Sequence, residues 1–176
     1  MEASPLPKPE KVRDLPDFSY HWICTDVSGE WDEYLYLLGV PEPQCKLAKA
    51  RNFGKGHEEQ IIELSADKAS IKIINPFKVI TYTTSESPPK AREDVSNTLA
   101  INGQPQQLSY GGISGSGVLT WEGESLVFRS KLNDEDVMIK RYLAPAEYGD
   151  LKMIVELRVA HVLAKRIYRP YKEIVG

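Results

Sequence analysis

The stretch LKMIVELRVAHVLAKRIYRPY, Leu151 to Tyr171, decides how the rest of the chain is read. In its first half Leu151, Met153, Val155, Leu157 and Val159 fall on one face. Lys152, Glu156 and Arg158 fall on the other. A period of two with one apolar face is the pattern of a half-buried β-strand. The second half repeats the period. Val162, Ala164, Arg166 and Tyr168 share a face, and Leu163, Lys165, Ile167 and Arg169 share the opposite one.

Working outward, the same alternation recurs. DVMIKRYL (136–143) sets Val137, Ile139, Arg141 and Leu143 on one face, with Met138, Lys140 and Tyr142 on the other. SLVFRSKL (125–132), GVLTWEG (117–123), NTLAING (97–103), FKVITYTT (77–84), KASIKIIN (68–75), EEQIIELS (58–65) and FSYHWIC (18–24) bring the count to about ten short strands. In the first of these in chain order, Phe18, Tyr20, Trp22 and Cys24 share a face. ESPPKAREDVS (86–96) reads as a polar loop. The glycine-rich SYGGISGSG (109–117) reads as a bent strand or long turn. It lacks the Lys-Ser/Thr ending of a phosphate loop and precedes no helix.

One segment breaks the period. In EWDEYLYLLGVPEPQCKLAKARN, Glu30 to Asn52, residues Trp31, Tyr34, Leu37 and Leu38 line one helical face. Ser28 is the expected N-cap, Asp32 and Glu33 suit the first turn, Gly39 stops the helix, and Pro41 stands near the start of a second. Strands joined without intervening helices exclude repeated parallel βαβ units. The prediction is a single antiparallel up-and-down barrel of ten strands, capped by a helix-turn-helix lid, with one face of each strand turned toward a small-molecule cavity.

Composition sets bounds. The chain has 176 residues, 41% hydrophobic and 27% charged, and a net charge of −3; its pI is about 5.7. Bulk positive charge for nucleic acid is absent, and no apolar run reaches the roughly 20 residues that span a bilayer. Residues 1–16, rich in Pro and charge, are expected to be a flexible tail, and 17–176 one domain. The tail has no apolar core of a secretory signal. Cys24 and Cys45, with no metal or redox spacing, read as reduced thiols of a cytoplasmic protein.

Parity places Arg141, Arg166 and Tyr168 on faces otherwise apolar. A guanidinium presents a fork that fits a carboxylate, and a phenol adds another donor. The trio is therefore a candidate clamp for the acid head of an apolar ligand. Solvent-facing arginines, or internal pairs with Glu63 or Asp26, would give the same pattern. Lys46, Lys49, Arg51 and Lys55 make the second helix and its exit basic, which suits either a solvated face or docking on anionic membrane.

These residues resemble the intracellular fatty-acid-binding proteins, including the cellular retinoid-binding proteins, of the lipocalin-like calycin type. WDEYLYLLGVPEPQCKLAKA resembles the family's helix pair, PFKVI its Phe-Lys step, and LTWEGESLVFRSKL its glycine-containing hairpin. MIKRYL and KRIYR resemble the two strands that carry its anchoring Arg and Arg-x-Tyr. The resemblance covers about residues 18–173. It implies an intracellular carrier of a fatty acid or retinoid, with Arg141, Arg166 and Tyr168 on the carboxylate, Trp31, Tyr34, Leu37 and Leu38 in the lid, and Phe77 as a gate. Tyr20 departs from the glycine usual two before the family's Trp, and 84–96 and 144–150 look like inserted loops.

Catalytic signatures are not evident. His21, His57 and His161 are scattered, with no metal-ligand spacing, and no nucleophile motif occurs. The expectation is no enzyme, no cofactor, no metal and no nucleic-acid partner. Two alternatives stay open: a cofactor-free isomerase or oxygenase acting on a bound lipid, and a filled barrel serving as a protein-interaction module.

Overall fold

The computed structural model describes residues 15–75, 95–110, 113–132 and 134–171. The expected tail therefore lies almost wholly outside the described residues, as do Phe77, the segment FKVITYTT and most of the loop 86–96.

Ten antiparallel strands form one sheet, curled into a nearly closed barrel. They are β1 (His21–Gly29), β2 (Glu59–Leu64), β3 (Ser70–Asn75), β4 (Val95–Ala100), β5 (Pro105–Tyr110), β6 (Ile113–Glu122), β7 (Ser125–Leu132), β8 (Glu135–Pro145), β9 (Leu151–Val159) and β10 (Val162–Pro170). The order is β4-β3-β2-β1-β10-β9-β8-β7-β6-β5, so β1 joins the last strand and each other neighbour is a neighbour in sequence. Between β4 and β5 no ladder is formed. The Gln106 side chain bridges the seam instead: its Oε1 accepts from the Ala100 N–H at 2.9 Å, and its Nε2 donates to the Ala100 carbonyl.

The alternation read in the sequence sorts the faces. On β9, Met153, Val155, Leu157 and Val159 are buried, while Arg158 is exposed. On β10, Val162, Ala164 and Tyr168 are buried. A bulge between Cys24 and Asp26 shifts the register of β1 by one, so that Val27 rather than Asp26 takes the inward row beside Arg166. Where β1 begins, Phe18 is fully buried and stacks on Trp121 at 5.9 Å. The Trp22 indole donates to the Phe18 carbonyl and the Trp121 indole to the Lys68 carbonyl, closing this end.

Where β1 ends, two helices follow: α1 (Trp31–Leu37) and α2 (Glu42–Ala50). Trp31 and Tyr34 are buried, and Leu37 and Leu38 pack against the core. Gly39 adopts φ +79 just past α1, a left-handed conformation that glycine takes without steric cost.

Several local expectations change. Strand β1 starts at His21 rather than Phe18, and Tyr20 is exposed; the turn that tucks Phe18 under Trp121 ends the alternation. Ser28 belongs to β1 and does not cap α1, whose N-cap is Glu30 with no side-chain bond. Strand β5 was not anticipated, because Pro105 and two glutamines give no alternating apolar pattern. The glycine-rich segment runs from the end of β5 into β6. In the stretch 144–150, Ala144 and Pro145 finish β8, and a short 3-10 turn, Glu147–Gly149, leads to β9.

Gly117 shows how tight the wall is. A methyl group there would collide with the Phe128 ring and lie 2.8 Å from the Arg129 carbonyl oxygen. Gly117→Ala is expected to destabilise the fold by about 1–3 kcal/mol through overpacking, measured by chemical denaturation. Gly115→Ala, whose methyl would approach nothing nearer than the Ser130 hydroxyl at 3.8 Å, should change little.

Candidate functional site

Inside the barrel an apolar cavity is lined by Ile71, Ile73, Leu99, Leu119, Leu126, Phe128, Ile139 and Val155, with two polar side chains, Asn75 and Arg141. The space open to the centre of a water molecule is about 40 Å³, where a single water takes roughly 10–15 Å³ by the same measure. As bounded by the described residues, this cavity has room for a few waters.

Arg141 is buried, and its Nη2 donates to Oε1 of Gln60 at 3.0 Å. Gln60 lies on β2 and is fully buried. Strands β8 and β2 stand four places apart along the sheet, about 19 Å at ordinary strand spacing. A hydrogen bond between them is possible only because the sheet is rolled, so this pair crosses the lumen. Gln60 was not anticipated in the sequence. Its signal was present in EEQIIELS, where a glutamine takes the same parity as Ile62 and Leu64.

Arg166 stands in the same cross-strand row as Arg141. Both pair with Val155, one from each side, which sets their Cα atoms about 10 Å apart. Their surroundings differ. Arg166 Nη1 meets Glu58 Oε2 at 2.7 Å, its Nε donates to the Phe53 carbonyl at 2.9 Å, and its guanidinium lies 4.6 Å from the Trp31 ring centre. Trp31 in turn stacks on Phe53 at 5.4 Å. Asn52 and Phe53 both have positive φ, 50 and 54, a backbone strain for side-chain-bearing residues. Arg166 thus holds the lid helix and the strained turn after α2 against the barrel. Tyr168, two residues on, is fully buried and pairs with Cys24 and Met153. Of the trio expected from the sequence, Arg141 lines the cavity, Arg166 is engaged with the lid, and Tyr168 is buried in β10 without joining the cavity lining.

The basic face of α2 is interleaved with acids. Lys46 lies 3.3 Å from Glu42, Lys49 3.7 Å from Asp32, and Lys55 3.7 Å from Asp26, all well exposed. Exposed pairs of this kind contribute little and exchange easily. Among the described residues no group of His, Cys, Asp and Glu is placed to hold a metal, and no helix is long and apolar enough to cross a membrane.

No family model matches the chain, and no curated protein matches it in sequence. Solved structures share its fold. The REP1-NXSQ fatty acid transporter superposes with a TM-score of 0.62 at 20% identity, over 86% of this chain and 94% of its own. A tyrosine-to-phenylalanine mutant of that transporter gives 0.63 at 20% identity, over 86% and 96%.

Arg166→Met should lower stability by about 2–4 kcal/mol, since it breaks a half-buried ion pair and the contacts that hold the lid. Adding Glu58→Gln should recover part of that loss, and a double-mutant cycle by urea denaturation measures the coupling. Burial, opposed by Arg166 and reinforced by Glu58, pushes the Cys24 thiol up to about 11. Between pH 9 and 11 the unfolded thiol ionises and the folded one does not, so stability falls across that window, by an amount on the order of 2 kcal/mol. Cys24→Ala should remove this component. Tyr142, pushed up to about 12 by burial and by its hydrogen bond to Glu156, keeps a further loss above pH 10.

Proposed function

We propose that the protein is a carrier that binds a small hydrophobic acid, a fatty acid or a retinoid-like molecule, inside the barrel. The observation that carries this reading is Arg141: one guanidinium held at the wall of a cavity otherwise almost wholly apolar. Arginine stays charged at any physiological pH, and a carboxylate matches its fork. The structural likeness to a fatty acid transporter supports the same reading. The carboxylate sits on Arg141, and Arg166 and Tyr168 join it when the lid turn yields Glu58 to solvent. Lid residues Trp31, Tyr34, Leu37 and Leu38 bound the route of entry. Phe77, the expected gate, falls outside the described residues.

Ligand sites commonly measure 300–1,000 Å³ or so, far above the space open here. Uptake of a long chain therefore has to displace lining side chains such as Phe128 and Ile139, which slows association below that of an open site. Delivery at an anionic membrane uses Lys46, Lys49, Arg51 and Lys55, and the acidic partners of the three lysines are weakly held. The protein works without catalysis, cofactor or nucleic acid, in the cytoplasm, as the thiols and the resemblance to intracellular carriers suggest.

The small cavity favours a second reading: a filled barrel that serves as a protein-interaction module. One experiment separates the two. Calorimetric titration with hexadecanoic acid and its methyl ester should show saturable binding of both. Arg141→Gln should weaken the acid by about 1.5–3 kcal/mol and the ester far less. Equal losses sink the acid-head assignment, and failure of both compounds to bind favours the module.

A further inference from the structure

Among the described residues, Arg141, Gln60 and Asn75 are three inward polar groups related by a hydrogen bond and by strand register. Arg141 donates to Gln60 Oε1. The last pair of the β2–β3 ladder is Ile61 with Ile74, so one further step sets Gln60 across from Asn75. Parity turns both inward, with Ile62 and Ile73. Gln60 is wholly buried, yet its Nε2 has no hydrogen-bond partner among the described residues, and the Asn75 Oδ1 atom is buried and likewise unpartnered among them. One orphan is a donor and the other an acceptor. Each orphaned buried group costs free energy that a partner would recover.

Resting on the carrier reading, we propose that this pair is a seat for a hydroxyl group, and that the ligand is an acid bearing a hydroxyl on the α or β carbon. A hydroxyl is the smallest group that serves both orphans, donating to Asn75 Oδ1 while accepting from Gln60 Nε2. A carboxylate only accepts, so beside Asn75 Oδ1 it would meet a like dipole; its place is Arg141. A single planar amide, that of Gln60, lies between the guanidinium and Asn75. The hydroxyl must then be close to the carboxyl group, not far along the chain. The rest of the lining, Ile71, Ile73, Leu99, Leu119 and Phe128 among it, offers the tail only apolar contact.

Calorimetry with four compounds tests this: hexadecanoic acid, its α-hydroxy and β-hydroxy derivatives, and the methyl ester of the plain acid. At least one hydroxy acid should bind about tenfold more tightly than the plain acid, the scale of one recovered hydrogen bond. Asn75→Leu should bring the ratio of hydroxy to plain acid close to one. Asn75→Asp, which fixes an acceptor at the same place, should preserve the ratio and guards against misreading a folding defect in the leucine variant. No advantage for either hydroxy acid overturns the seat; that is the result if a water fills it or if the Asn75 amide is reversed to present its nitrogen. An advantage that survives Asn75→Leu overturns it too. Equal binding of plain and hydroxy acids leaves the carrier reading standing, whereas binding of none of the four overturns both.

Discussion

Two guanidinium groups on the inner face of a barrel are the constraint around which the rest is arranged. An isolated charge in such a place costs several kcal/mol unless it is met by acceptors. The two arginines are met differently. Arg166 is given a carboxylate, a carbonyl and an aromatic face, and with them it fixes the lid. Arg141 reaches across the lumen to a neutral amide. The first solution yields a rigid joint. The second places a guanidinium at the wall of a small cavity, from which a functional reading can start.

The division has an electrostatic logic. Glu58 neutralises Arg166 within a half-buried cluster, where direct pairing at 2.7 Å is strong. A neutral amide such as Gln60 satisfies one N–H of Arg141 without cancelling its charge. The outer face shows ordinary surface behaviour by contrast: Lys165 lies 3.3 Å from Glu156, and Glu156 also accepts from Tyr142 at 2.9 Å, a network that organises the sheet exterior.

Much of the fold was legible in the sequence because the side-chain period of a strand is exact and few competing signals blur it. The strands from Ser125 to Pro170 show this, since each carries four or more alternating positions. What failed was local. Ser28 looked like a cap because Ser-Gly-Glu precedes the helix, but β1 runs on to Gly29 to complete its pairing with Ala164. Strand β5 was hidden because the Gln106 side chain serves the barrel seam and not the core. At the site, parity brought out Arg141 and Arg166 together, yet it carries no information about which acceptor each one meets. Glu58 and the Phe53 carbonyl come from a turn whose path depends on positive φ at two non-glycine residues. Gln60 and Asn75 were overlooked because a single amide among isoleucines is usually taken as a break in a pattern.

The pairing of β1 with β10 has a consequence for how the chain is made. Every other ladder joins strands adjacent in sequence, the longest of those connections running from Gly29 to Glu59. The β1–β10 ladder joins Trp22 to Pro170, and loops of that span are slow to close. On a ribosome, the meander from β5 to β9 can assemble as it emerges, while β1 waits for a partner synthesised last. During that wait Trp22 and Cys24 lack the strand that buries them, and β10, once released, must find β1 and β9 together. Arrest of synthesis just short of β10 would therefore leave a nearly complete meander with an exposed apolar flank, the form of this protein most prone to capture by chaperones or by copies of itself.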